Sequence, residues 1–223
     1  MSKPKLTCFD LDHTLLSGDS DVLWCDYLVE TGRLDKTTFQ AKNADMEAQY
    51  KAGTVAIDEF ANFYVGTLAG NTPAFWEPVR QTFFRECIVP NVPMAALNLV
   101  KQHQDAGDLV VLTTATNRFI TELTARHLGN LPLIATEPEI IAGKFSGKTT
   151  GVLNMREGKV ARLTEWLARS GRQLRDFDSA AYSDSINDLA LLAAVDTAIA
   201  VDPDARLLAE AQARGWRVLR MER

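Results

Sequence analysis

The spacing of apolar residues changes twice along this chain. The first apolar run, Leu6–Phe9, is short, interrupted only by Thr7, and followed by Asp10, as a buried strand would be. From Asp19 to about Glu86 the apolar positions fall three and four apart, which predicts amphipathic helices. Val22, Trp24, Cys25 and Leu28 begin that pattern, and Ile57, Phe60, Ala61, Tyr64 and Leu68 continue it. Gly32, Gly53 and the run Gly70-Asn71-Thr72-Pro73 punctuate the block, so three or four helices in series are expected. The prolines of IVPNVP mark its end. Beyond them a helix over Met94–Ala106 precedes an apolar run at Leu109–Thr114, and a helix over Arg118–Leu128 precedes one at Leu131–Thr136. Glu137–Gly158 is rich in Gly, Lys and Thr, lacks a helical period, and reads as hairpin and loop. An amphipathic helix over Lys159–Ser170 follows, then strands at Ala180–Asp184, Thr197–Val201 and Trp216–Leu219.

Strands alternating with helices of this length predict an α/β fold, a parallel sheet with helices on both faces. The helical block breaks that alternation after the first strand. The economical organisation is one α/β core made of residues 1–16 and 89–223, split by an inserted all-helical domain at 17–88.

Composition adds exclusions. In a chain of 223 residues, 24 basic against 29 acidic side chains give a net charge of −5, which argues against nonspecific nucleic-acid binding. No stretch approaches the roughly 18 apolar residues of a membrane span, and MSKPKLTCFD does not read as a secretory signal. Cys8, Cys25 and Cys87 match no zinc spacing and read as reduced packing residues. A cytoplasmic protein is expected; its oligomeric state is not legible.

In such sheets the chemistry gathers beyond the carboxyl ends of the strands. Three strands end in reactive residues: the first in Asp10, the second in Thr113 and Thr114, the Tyr182 strand in Asp184. Asp10 and Asp12 stand two apart, where like charges repel unless a cation or shared proton uses them. An Asx-turn accounts for one of them but not both. Asp184 and Asp188 flank a strand-to-helix turn, where Asp184 or Ser185 capping and Asp188 near the dipole is the plain alternative. Four carboxylates in one pocket, with no His or Cys, suit Mg²⁺. Thr113, Thr114 and Thr116 offer hydroxyls for phosphate or for a helix cap, and Lys159 makes most sense at a helix start if it faces an anion. His13, His103 and His127 are too scattered for a metal site. Together these parts describe phosphoryl transfer.

In order, the motifs DLDHT, LTTAT, the Lys of EGKVARL and SDSINDLALL resemble those of the haloacid dehalogenase-like phosphatases, in the phosphoserine phosphatase-like branch with a helical cap after the first motif. The resemblance implies a Rossmann-like sheet with strand one central, flanked by the strands of motifs two and four. It implies that Asp10 is the nucleophile, that Asp12 is the acid and then the base, and that Thr114 (or Thr113) and Lys159 serve the phosphate. The implied phosphate and substrate set is Thr14, Asp19, Thr114, Ala115, Lys159 and Asn187. For Mg²⁺ it implies Asp10, the Asp12 carbonyl and Asp184, with Asp188 supporting. Asp19 falls where phosphoserine phosphatases hold an ammonium group, although capping the first helix accounts for it equally well. Arg80 and Arg85 are candidates to meet a substrate carboxylate. The implied activity is Mg²⁺-dependent hydrolysis of a small phosphomonoester, amino-bearing like phosphoserine or histidinol phosphate. The rivals are a phosphotransferase or mutase, and a phosphometabolite-binding protein without turnover.

Overall fold

The computed structural model describes residues 3–52 and 56–223. Gly53, read above as a helix break, lies outside the described residues. The first strand, β1 (Lys5–Phe9), leads directly into four helices: α1 (Ser20–Glu30), α2 (Lys36–Ala52), α3 (Ile57–Val65) and α4 (Pro73–Phe83). α4 runs on through a wider turn at Phe84–Ile88 and a tight one at Val89–Asn91. The chain then returns through α5 (Met94–Asp105) to β2 (Leu109–Asn117), α6 (Arg118–His127), β3 (Leu133–Ile141) and β4 (Lys144–Thr150). α7 (Glu157–Ala168), β5 (Asp178–Ser183), α8 (Leu189–Ala194), β6 (Thr197–Val201), α9 (Ala205–Arg214) and β7 (Arg217–Leu219) complete it.

The seven strands stand in the order β4-β3-β2-β1-β5-β6-β7, so β1 is the middle strand, between β2 and β5. All neighbours are parallel except β3 and β4, whose hairpin adds an antiparallel edge to the sheet. β1 is apolar from Leu6 to Phe9 apart from Thr7 because both of its faces are covered. Leu6 and Cys8 join Val111, Leu163, Ala181 and Leu207 on one side. Phe9 joins Val110, Leu112 and Tyr182 on the other, in a cluster that continues through Trp24, Leu28, Leu68, Trp76 and Phe83 of the helical block.

Two boundaries differ from expectation by three residues or more. β2 continues three residues past Thr114, with a register shift between Thr114 and Asn117. The bulge lets the strand carry its polar end while Asn117 caps α6, its Oδ1 accepting from Ile120 N. β3 extends past Thr136 to Ile141 because its outer half pairs with β4, and that hairpin leans on the helical block. Thr149 N donates to Asn62 Oδ1 at 2.8 Å, Gly70 N donates to Phe145 O, and Phe145 N donates to Asn71 O.

Candidate active site

Asp10 is the first residue past β1, its N–H bonded to Tyr182 O as if the ladder went on. The chain then folds sharply: Thr14, Leu15 and Leu16 all donate their N–H to Leu11 O, and His13 takes a left-handed φ of 56°. Buried Leu11, Leu15 and Leu16 pin this turn in the core. From a distance in sequence, Arg223 binds the same turn, donating to the carbonyls of His13 and Leu16 and to Ser17 Oγ.

Around Asp10 the turn and the ends of β2 and β5 bring carboxylates and their partners together. Lys159 Nζ, buried at the start of α7, donates to Asp10 Oδ1 at 2.7 Å and to Asp188 Oδ2 at 2.6 Å. Ser183 Oγ donates to the same Asp188 oxygen. Thr14 Oγ1 lies 3.1 Å from Asp10 Oδ2 and 3.2 Å from Asp184 Oδ1, and accepts from Asp184 N–H. Asp12 is only partly buried. Its Oδ1 accepts from Ser20 N at 2.7 Å, at the start of α1, and its Oδ2 accepts from Thr114 and Thr116 hydroxyls at 3.2 and 3.0 Å.

The electrostatics are those of crowded anions. Burial pushes Asp10 up to about 7; Lys159 opposes this, and the Asp188 and Asp12 charges reinforce it. Burial, with the charge of Asp19, raises Asp12 to about 6 against the bonds from Ser20 and Thr116. Burial and the charges of Asp10 and Asp188 raise Asp184 to about 8. Burial alone would lower Lys159, but Asp10 and Asp188 outweigh it and hold the ammonium charged.

Two of the four carboxylates, Asp10 and Asp188, thus share one buried lysine. Among the described residues no three His, Cys, Asp or Glu side chains form a ready metal cluster. Two carboxylates, Asp10 and Asp184, sit against one Thr14 hydroxyl and repel each other, an all-oxygen pair. Such a pair, short of positive charge, fits a hard divalent cation.

Other candidates resolve individually. Thr113 Oγ1 is turned away to Asn154 Nδ2, so of these two neighbours it is Thr114 whose hydroxyl faces Asp12. The Asp188 side chain caps no helix; Ser185 caps the turn before α8, accepting from Asn187 N. Asp19 caps α1, its Oδ1 accepting from Asp21 N and Val22 N. Thr14 is spent on the carboxylates. Asn187 sits partly exposed in the turn after β5, and Ala115 lines a small cavity against α3. Arg80 is no substrate arginine: it is buried, donates to Phe119 O, pairs with Glu77 and Glu122, and stacks on the Phe119 ring. Arg85 bonds Thr82 on the surface. His103 joins Asp108 and Tyr182 instead of the site. Sequence reasoning missed Ser20, Asp21, Ser183 and Asn154, polar residues whose importance comes from partners that other elements bring to them. A cavity of about 260 Å³ beside Arg118, Glu137 and Arg162 shares no residue with the cluster.

A doubly wound sheet whose central strand ends in paired acids, braced by a lysine and a second acid pair, defines a phosphoryl-transfer hydrolase. The haloacid dehalogenase-like hydrolase family model matches residues 7–193, and the chain belongs to that family, whose class here is the phosphoric monoester hydrolases. It is 37% identical over 216 residues to a protein of Neisseria meningitidis named histidinol-phosphatase, covering 96% of this chain and 97% of that one. It is 30% identical to the phosphoserine phosphatase SerB1 of Mycobacterium tuberculosis, over 94% of this chain and 68% of that one. Its fold matches a crystal structure of a protein of unknown function from Bordetella pertussis with a TM-score of 0.93, at 42% identity over 98% of this chain and 99% of that one. A substrate-bound phosphoserine phosphatase shares the fold at a TM-score of 0.69 and 17% identity, covering 100% of this chain and 95% of that one.

Proposed function

We propose that the protein is a Mg²⁺-dependent phosphomonoesterase working through an aspartyl-phosphate on Asp10, with the helical block of residues 17–88 as a cap over the core. The observation that carries this reading is the pairing of Asp10 and Asp188 on one buried Lys159 Nζ, with Asp12 partly open beside it. An Asp10 oxygen attacks phosphorus as the bond to the leaving oxygen breaks, and Asp12 gives that oxygen its proton. Asp12, now a carboxylate, takes a proton from the water that attacks the aspartyl-phosphate and frees Asp10. Lys159 and the Thr114 hydroxyl offset charge that grows on the phosphoryl oxygens. Asp10, the Asp12 carbonyl and Asp184 would hold Mg²⁺, braced by Asp188, and the cation would supply charge neutralisation for the phosphate.

The substrate is a small phosphomonoester, and the relatives named for histidinol phosphate and phosphoserine support one that bears nitrogen. Free Cys8, Cys25 and Cys87 suit a reducing, cytoplasmic compartment. The test is phosphate release from phosphoserine, histidinol phosphate, sugar phosphates and p-nitrophenyl phosphate, with Mg²⁺ or with chelator. We expect turnover only with Mg²⁺ and none from Asp10→Asn. Phosphate passed to added alcohols in preference to water would instead favour a phosphotransferase; binding without turnover would favour a sensor.

A further inference from the structure

Arg223 reaches back across the molecule to the turn that follows Asp10. Its Nη1 donates to Leu16 O at 3.0 Å and to Ser17 Oγ at 3.2 Å, and its Nη2 donates to His13 O. On its other side Nε donates to Asp202 Oδ2 at 3.1 Å. Asp202 directly follows β6, and two residues on, Asp204 N donates to Asp184 O at 2.8 Å. One guanidinium thus bridges the turn that carries Asp12 and the loop that holds the backbone of Asp184. Both ends of the bridge contain a left-handed residue: φ is 56° at His13 and 40° at Asp202. Residues other than glycine adopt that region rarely, and keep it where their surroundings fix the backbone. An ion pair whose side chains are 27% and 25% exposed adds little by itself. The backbone carbonyls set Arg223 apart, because its planar fork of donors serves several acceptors in one fixed geometry.

Resting on the phosphatase reading, we propose that Arg223 is a positioning residue: it holds the turn of residues 11–18 so that the Asp12 carboxyl meets the leaving oxygen of the substrate. Asp10 does not need it. The Asp10 N–H is bonded to Tyr182 O, so the sheet fixes its backbone, and Lys159 fixes its carboxylate. Asp12 lies two residues further on, where its backbone forms an isolated bridge with Leu16, the residue whose carbonyl Arg223 binds. The bond from Ser20 N to Asp12 Oδ1 rests on the same turn, which leads into α1 through Gly18 and Asp19. Here the chain also leaves the core for the helical block, and Ser17 N donates at 2.7 Å to Asn91 O, where the chain returns. Without Arg223 the carbonyls of His13 and Leu16 lose a charged donor, and the left-handed turn loses a brace. The nucleophile then keeps its place while the acid drifts. A shift of about 1 Å in a catalytic group is enough to slow a step by roughly a hundredfold.

The experiment compares kcat/KM for two kinds of ester in the wild type, Arg223→Ala and Arg223→Lys. One is p-nitrophenyl phosphate, whose leaving group departs without a proton. The other is whichever of phosphoserine, histidinol phosphate and the sugar phosphates the wild type turns over fastest; its leaving alkoxide needs a proton. The ratio kcat/KM reports the attack on phosphorus, where that proton is given, and not the later hydrolysis. We expect Arg223→Ala to lower it roughly ten- to a hundredfold for the alkyl ester and by less than about threefold for the nitrophenyl ester. Arg223→Lys keeps a charge for Asp202 but loses the fork, and should show the same bias to a smaller degree. It carries the test alone if thermal unfolding shows that Arg223→Ala does not fold. An equal fall on both esters would mean that Arg223 only supports the fold, and would overturn the proposal. No change on either would mean that the turn holds itself, and would overturn it too. Wild-type turnover of the nitrophenyl ester alone would leave no proton transfer for Arg223 to support; the proposal falls and the phosphatase reading stands. No release from any ester sinks that reading, and the proposal with it.

Discussion

Lys159 is 2% exposed and touches two carboxylates, so its charge is answered by Asp10 and Asp188 and not by water. Removing it leaves both acids buried and unpaired. We expect Lys159→Met to destabilise the fold by about 3 kcal/mol and to cut phosphate release by at least roughly a hundredfold, read by thermal unfolding and steady-state rates. The same crowding sets a pH dependence of stability. Asp10, Asp12 and Asp184 have folded values of about 7, 6 and 8 against an ordinary 3.8, so the folded state holds protons the unfolded chain has released. Stability therefore falls as pH rises through this window, and its highest value lies on the acid side. The metal-free protein should melt earlier at about pH 8 than at about pH 5, with a smaller drop in Asp184→Asn; a rise instead would contradict the crowding. Spacing made part of the site legible at this scale. Asp10 and Asp12 stood out because two acids just past a buried apolar strand repel unless a cation or a proton is shared between them. Asp188 was ambiguous, since a helix start alone accounts for an acid there, and only the approach of Lys159 from 29 residues away separates the readings. Ser20 and Asn154 carried no signal, because their importance lies in what they meet.

At the scale of elements, the site depends on how α7 and the end of β2 are held. Gly158, directly before Lys159, packs against Leu153 O so closely that an added Cβ would sit 2.0 Å from it. Gly158→Ala therefore has to shift the start of α7 and with it Lys159. We expect a loss of about 1–3 kcal/mol and a fall in kcat larger than any change in KM. Asn154 ties two strand ends together: its Nδ2 lies 2.9 Å from Thr113 Oγ1, Thr114 O and Ile134 O alike. Asn154→Ala should cost about 2–3 kcal/mol in thermal or denaturant unfolding, because buried acceptors lose their donor. Period and punctuation located almost every helix and strand within a few residues. The hairpin read at Glu137–Gly158 is there as β3–β4, but the reach of β3 into it and the bulge at the end of β2 escaped because both arise from pairing between strands, which local spacing does not encode.

Over the whole molecule, the large hydrophobic cluster runs from the sheet into the helical block without a break, and the β3–β4 hairpin adds polar contacts to α3 through Asn62. The helical block is thus tied to the core on one side, and the small cavity at Asp21 is lined by residues of both. Mg²⁺ bound between Asp10 and Asp184 would relieve repulsion present in the folded chain and absent from the unfolded one. We expect Mg²⁺ to raise the melting temperature in a concentration-dependent way, and Asp184→Asn to remove most of that rise. The central claim is that phosphorus passes through Asp10. The most direct measurement is to mix the enzyme with Mg²⁺ and a substrate that it turns over, quench in acid within the first turnover, and map the phosphoryl group by peptide mass spectrometry. A phosphorylated peptide spanning Asp10, present in the wild type, more abundant in Asp12→Asn and absent from Asp10→Asn, is the result expected. Turnover with no covalent phosphate on that peptide in either active protein would contradict it.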